Sequence, residues 1–286
     1  SSLLLSLIFL CSVAFAQENL LLTNAVAEQV LLGNYDPATY APEMNITSPQ
    51  ELVADINASV SSDSLKSYLF GLRQFETRNT GSDTLSPTRG MGAARRWVYS
   101  RFQDFRAERN DRLLVSYFQF DQEICGMNRH SNVIAVLPGL DTTDKSILII
   151  EGHMDSRCAG RCDIDCVAEG MEDNASGTAL VMEMARVMSQ YAFNHTIVFM
   201  ATTGEEQGLL GANAFAEYTQ QQDIEVKAVL NNDIVGGIIC GATSSQPSCP
   251  GLNHIDSTQV RLFSAGGFNS RHKQLSRFIK LEYEEK

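Results

Sequence analysis

Residues 146–155 read SILIIEGHMD, an apolar run that stops abruptly at metal-capable side chains. Ile147, Leu148, Ile149 and Ile150 are apolar at consecutive positions, so both faces of the strand they predict must be covered. The same order recurs twice downstream: 196–201 lead into Thr202-Thr203-Gly204-Glu205-Glu206, and 226–230 lead into Asn231-Asn232-Asp233. Between these runs lie helical stripes. Leu180, Val181, Met184, Val187 and Met188 share one face of a helix opening near Ser176, and Leu210, Ala214, Phe215 and Tyr218 share one face of a helix after Gly208. Strand alternating with helix predicts an α/β fold, a three-layer α/β/α arrangement around a central, mainly parallel (mixed) sheet. Ligands of such sheets gather beyond the carboxyl ends of the strands. The polar clusters stand at those ends, and a fourth, Glu172-Asp173-Asn174, precedes the helix near Ser176.

Outward from this centre, 115–120 and 132–137 predict two further strands. Asp63 is placed to cap a helix through Leu65, Tyr68, Leu69 and Leu72, and a second helix is predicted over 91–105; both read as scaffold. The chain has 286 residues, 44% hydrophobic and 20% charged, which excludes a disordered tail, a collagen-like repeat and a multi-span membrane protein. With 34 acidic residues against 22 basic ones and no Lys/Arg-rich run, nucleic acid and anionic membrane surfaces are not expected partners.

Residues 3–16 are apolar and close in Ala14-Phe15-Ala16 before Gln17, the small-x-small pattern of a signal-peptide cleavage site. The run is shorter than the roughly 20 residues a bilayer span requires. The expectation is a secreted protein, extracellular or periplasmic, with no membrane association after signal removal. Residues 1–16 are then a signal peptide whose start is missing, 17–60 a variable lead-in and 61–286 the main domain. Gln274 to Lys286 predicts an amphipathic helix with no stop signal after it, so the domain is expected to continue. Of seven cysteines, Cys11 falls in the signal. Cys125, Cys158, Cys162, Cys166, Cys240 and Cys249 form an even set that favours disulfides in an oxidising compartment, with Cys240–Cys249 the expected short bridge.

His153 and Asp155 are i, i+2 neighbours and, on a strand, point the same way. His153 reads as a metal ligand and Asp155 as the carboxylate that orients its ring. Glu205 and Glu206 are adjacent and diverge, so one can ligate a metal while the other serves as a general base. Asp173 and Asp233 gain weight only collectively.

Gly152-His153-Met154-Asp155, Glu172-Asp173-Asn174-Ala175-Ser176-Gly177, Gly204-Glu205-Glu206-Gln207-Gly208 and Asn232-Asp233, in that order, resemble the secreted co-catalytic di-zinc aminopeptidases, the zinc exopeptidases of clan MH. The resemblance covers residues 60 to 245. It implies two zinc ions, with Asp173 bridging them, His153 and Asp233 completing one and Glu206 binding the other. It further implies Glu205 as general base, Asp155 as the orienter of His153, and hydrolysis of peptide substrates through a metal-activated water. The family supplies one more His to the zinc held by Glu206. His254 and His272 do not stand at its spacing, so that ligand is expected past Lys286 and the chain by itself is expected to be inactive. Alternatives are a carboxypeptidase or dipeptidase of the same fold, a single-zinc transferase resembling glutaminyl cyclase, and a non-catalytic receptor domain. Glycosylation sequons begin at Asn45, Asn57, Asn174 and Asn194; the one at Asn174, beside the implied bridge, is expected to be silent.

Overall fold

A computed structural model of the chain describes residues 18–42, 46, 48–241, 250–258 and 260–284. The signal-like run and Cys249 lie outside the described residues; Cys240 is disulfide-bonded. Six strands, β1 (Glu18–Leu22), β2 (Leu114–Ile124), β3 (Met127–Leu137), β4 (Ile147–His153), β5 (Thr196–Thr202) and β6 (Val226–Asn231), lie side by side in the order β1-β2-β3-β5-β4-β6. Strand β4 runs parallel to both β5 and β6, whereas β1–β2, β2–β3 and β3–β5 are antiparallel. The sheet is mixed, and its parallel character belongs to the three strands that carry the polar clusters.

Local backbone chemistry explains the antiparallel half. Strands β2 and β3 are joined across Cys125 and Gly126, which both adopt positive φ, 52° and 84°. Such a pair matches the twist of a two-residue hairpin and turns the chain back at once, leaving no room for the crossover that parallel neighbours need.

Helices cover both faces. On one, α3 (Ser62–Arg73), α4 (Gly90–Ala107) and α5 (Gly177–Met188) enclose a core that includes Leu72, Val98, Phe102, Val181 and Met182, while the preceding α2 (Pro49–Ser59) buries no residue. On the other, α1 (Ala25–Leu31) and α6 (Leu210–Gln221) pack Leu31, Phe215 and Tyr218 over Phe118, Phe120 and Ile149. Strand β5 feeds both cores by alternation, Ile197, Phe199 and Ala201 to the first and Val198 and Met200 to the second. This is why it is apolar at successive positions. The expected cap of α3 is corrected by one turn geometry: Ser61, not Asp63, is the N-cap, its Oγ accepting from Ser64 N at 3.1 Å, and Asp63 lies in the first turn. Residues 18–31, in the expected lead-in, supply an edge strand and a helix of the second core.

The chain divides after Ile234 into two compact units. The second contains an isolated antiparallel bridge between Ile239 and Ile255 and the helix α7 (Arg271–Glu284), which buries no residue and overlaps the helix expected from Gln274. Among the described residues no helix is long and apolar enough to cross a membrane.

Phe118 is fully buried, edge-on to Phe215 at 5.1 Å and to Tyr218 at 5.4 Å. Phe118→Ala is expected to lower the unfolding free energy by about 3–5 kcal/mol through the cavity it leaves. A denaturant titration checks this; a loss below about 1 kcal/mol would mean the second core is not packed as described.

Candidate metal centre

Because β4, β5 and β6 run parallel, their carboxyl ends open on one edge of the sheet, and the three polar clusters meet there. His153 is the last residue of β4 and is buried, with its ring nitrogens turned to acidic neighbours. Its Nε2 lies 3.2 Å from Asp173 Oδ1, 3.7 Å from Asp233 Oδ1 and 3.8 Å from Glu205 Oε2. One ligand atom each from His153, Asp173 and Asp233 falls within 4.8 Å of the others. Ligand atoms about 2.0–2.2 Å from a tetrahedral zinc stand roughly 3.3–3.6 Å apart, and an imidazole with two carboxylates is a donor set zinc accepts. The three residues therefore fit a zinc ion.

Asp173 reaches this point from an irregular turn, Met171–Ser176, in which it is extended (φ −108°, ψ 98°) and its peptide bond to Asn174 is cis. Asp233 follows the end of β6. Glu206 does not join the triad; its carboxylate is ion-paired with Arg157 Nε.

Asp155 touches the imidazole differently from the expectation. Strand β4 ends at His153, so the alternation of strand side chains no longer applies two residues on. His153 Nδ1 meets the backbone carbonyl of Asp155 at 3.1 Å, and the nearer carboxylate oxygen stands at 3.6 Å. The Asp155 carboxylate, wholly buried, instead accepts the backbone N–H groups of Glu205 at 3.3 Å and Glu206 at 3.1 Å. Asp155 thereby touches the imidazole through its main chain and the Glu205-Glu206 turn through its side chain.

The residues that buttress the centre were not legible as functional in the sequence. The segment 77–82 is buried throughout yet has no strand or helix. Arg78 is fully buried; Nε donates to Met154 O at 2.7 Å, Nη1 to Leu72 O at 3.2 Å and Glu169 O at 2.6 Å, and Nη2 to Gly170 O at 2.8 Å. One planar fork thus ties the exit of β4 to the turn carrying Asp173. Gly170 is required beside it: φ is +48°, and a Cβ would meet Arg78 Nη2 at 2.9 Å. Thr80 Oγ1 accepts from Gly204 N at 3.0 Å and Asn132 Oδ1 from Thr203 N at 3.0 Å, fixing the exit of β5. No period betrays such a segment; an Arg amid short polar residues just after a helix was its only trace.

Disulfides Cys125–Cys162 and Cys158–Cys166 tie down the loop between the first ligand and the second. The sequon at Asn174 is sterically closed, since that side chain is wholly buried and its Nδ2 donates to Asn232 O.

Electrostatics follow from the crowding. Burial lowers the pKa of His153, but contact with Asp155, Asp173 and Asp233 outweighs it and the value is pushed up to about 12. Burial raises the carboxyl groups of Glu205 and Glu206, with Arg157 opposing the rise at Glu206. Contact with His153 holds Asp173 below the usual range, against its burial.

A buried imidazole at one strand end, a carboxylate just past another and a third group from an irregular turn make a metal-binding arrangement on a mixed α/β sheet. The comparisons are specific. Residues 132–239, which hold all four motifs, match the model of peptidase family M28. A probable zinc metalloprotease of Pyrenophora teres f. teres is 35% identical over 245 residues, covering 81% of this chain and 52% of that protein. A probable zinc metalloprotease of Pyricularia oryzae is 33% identical over 259 residues, covering 85% of this chain and 51% of that one. Among solved structures, the LapA aminopeptidase of Legionella pneumophila has a similar fold, with a TM-score of 0.53 at 24% identity over 67% of this chain and 48% of LapA. Over residues 132–239 the chain belongs to peptidase family M28. It spans about half the length of the curated relatives it matches.

The sign of the His153 shift sets a pH dependence for the metal-free chain. Its folded-state pKa, about 12, lies above the ordinary 6.5, so the stabilisation is complete below pH 6.5 and drains away as pH rises toward 12. Thermal midpoints of the chelator-treated chain are expected to fall from about pH 7 to about pH 10, and the fall attributable to this group should vanish in His153→Gln. An identical pH slope in chain and variant would refute the coupling.

Proposed function

We propose that the chain carries the metal-binding part of a zinc-dependent exopeptidase, most specifically an aminopeptidase that removes N-terminal residues from peptides. The convergence of His153, Asp173 and Asp233 at the carboxyl ends of parallel strands carries this reading. Membership of family M28 supports zinc and peptide substrates. His153, Asp173 and Asp233 would hold one zinc ion, and Asp173 and Glu206 would hold a second. Bound zinc supplies a Lewis acid that polarises the scissile carbonyl and lowers the pKa of water.

The remaining chemistry belongs to the chain. Glu205 is the general base: its carboxylate faces the triad but is not one of its members, and burial raises its proton affinity toward the working range. It takes a proton from the attacking water and returns it to the leaving amine. Asp155 holds the imidazole of His153 and, through the backbone amides of residues 205 and 206, the position of that base. Glu206 has to exchange Arg157 for a metal ion before it can act as a ligand. The two disulfides and the apolar run before Gln17 support export of the mature protein.

The test uses a full-length protein that includes this chain. Release of chromophore from aminoacyl anilides is expected to disappear with a chelator and return with zinc. Glu205→Gln should lower kcat by about 10²–10⁴-fold while zinc content stays unchanged. No release from any unblocked substrate, or an undiminished rate in Glu205→Gln, would refute the reading.

A further inference from the structure

Asp233 is a poorly supported ligand. It leaves β6, which among the described residues pairs with β4 alone. Edge strands have pairing on one side only. Asn232 N donates to Glu151 O at 2.8 Å, but this anchors the residue before Asp233 on its strand side alone. Asp233 nevertheless meets His153 and Asp173, which come from the interior.

One side chain spans the gap. Asn174 is wholly buried; its Nδ2 donates to Asn232 O at 2.8 Å, and its Oδ1 accepts from Ile234 N at 3.2 Å and Gly177 N at 2.9 Å. The amide therefore grips the backbone on both sides of Asp233, while its own backbone continues from Asp173. Only a side chain with a donor and an acceptor can do this, which excludes Asp in its ionised form and every apolar residue. The approach is close: a Cβ on Gly177 would meet Asn232 O at 2.0 Å and Asn174 Oδ1 at 2.6 Å, so glycine is required there.

We propose that Asn174 is a positioning residue of the metal centre, a side chain that sets the distance between the ligands Asp173 and Asp233. The inference rests on the zinc reading above. The competing role is an ordinary buried amide that caps α5. A cap contributes to stability but leaves the ligands of the folded molecule where they were. Positioning acts on zinc affinity, since loss of a partner that orients a ligand costs about 10–100-fold in metal binding.

The experiment measures zinc dissociation constants for the chain by competition with a chromophoric chelator, together with thermal midpoints of the metal-free forms. Asn174→Ala is expected to bind zinc about 10–100-fold more weakly, while Asn24→Ala, which removes the N-cap of α1 far from the centre, lowers the midpoint without changing zinc affinity. Should Asn174→Ala not fold, Asn174→Ser, too short to reach both flanks of Asp233, carries the same expectation. Zinc affinity unchanged in a folded Asn174 variant overturns the positioning role and leaves the zinc site standing. Zinc binding that is absent from the unmodified chain, or insensitive to His153→Ala, overturns the site itself and the positioning role with it.

Discussion

Carboxylates repel one another, and this chain brings five of them, Asp155, Asp173, Glu205, Glu206 and Asp233, to the rim of one buried imidazole. Every unusual feature around that rim can be understood as a means of holding like charges together. The cheapest means is topological. Parallel strands β5, β4 and β6 end on the same edge, so register alone places His153, the Glu205-Glu206 turn and Asp233 near one another. Hydrogen bonds supply the rest: Asp155 consumes its charge on two backbone amides, Arg78 binds four carbonyls behind the site, and Arg157 covers Glu206.

The high proton affinity of His153 is a consequence of the same crowding. Desolvation alone favours a neutral ring. The surrounding carboxylates reverse this, so in the metal-free chain an imidazolium proton occupies the electrostatic role that a divalent ion would take. Metal binding at such a site is an exchange of cations, and its affinity must rise with pH because the ligand nitrogen has to shed its proton.

The site was legible in the sequence wherever it coincided with a strand end. Runs of apolar residues that stop at Glu151, Thr202 and Asn231 announce both the strands and the clusters beyond them, because a sheet covered on two faces leaves only its ends for polar chemistry. What stayed hidden depends on contacts that no period encodes. Asp155 meets His153 most closely through its backbone carbonyl, because the strand ends two residues before it and side-chain alternation no longer operates there. Arg78 lies in a segment without regular structure, and its partners are backbone carbonyls at 72, 154, 169 and 170, which leave no mark on residue type. The Cys125–Cys162 bridge joins a hairpin turn to a loop and was one pairing among fifteen. The antiparallel half turned on two positive-φ residues, Cys125 and Gly126, of which only the glycine signals its conformation.

A division of labour between the halves of the sheet follows. The hairpin β2–β3 contributes no ligand, yet Asn132 on β3 holds Thr203, and Cys125 at its turn holds Cys162. Arg161, the residue before that cysteine, accepts through its carbonyl from Asn79 and from Gln207, at 2.9 Å in each case. Antiparallel strands with local connections thus brace both the exit of β5 and the long loop between the first ligand and the second. On the other flank, among the described residues, β6 pairs with β4 alone. The centre is therefore built asymmetrically: the approach to the Glu205-Glu206 turn is fixed at Thr203 from the hairpin and at residues 205 and 206 by Asp155, whereas the backbone beside Asp233 is held by Glu151 and the amide of Asn174. Asp233 thus reaches the centre through its two chain neighbours, Asn232 held by Glu151 and Asn174 and Ile234 held by Asn174.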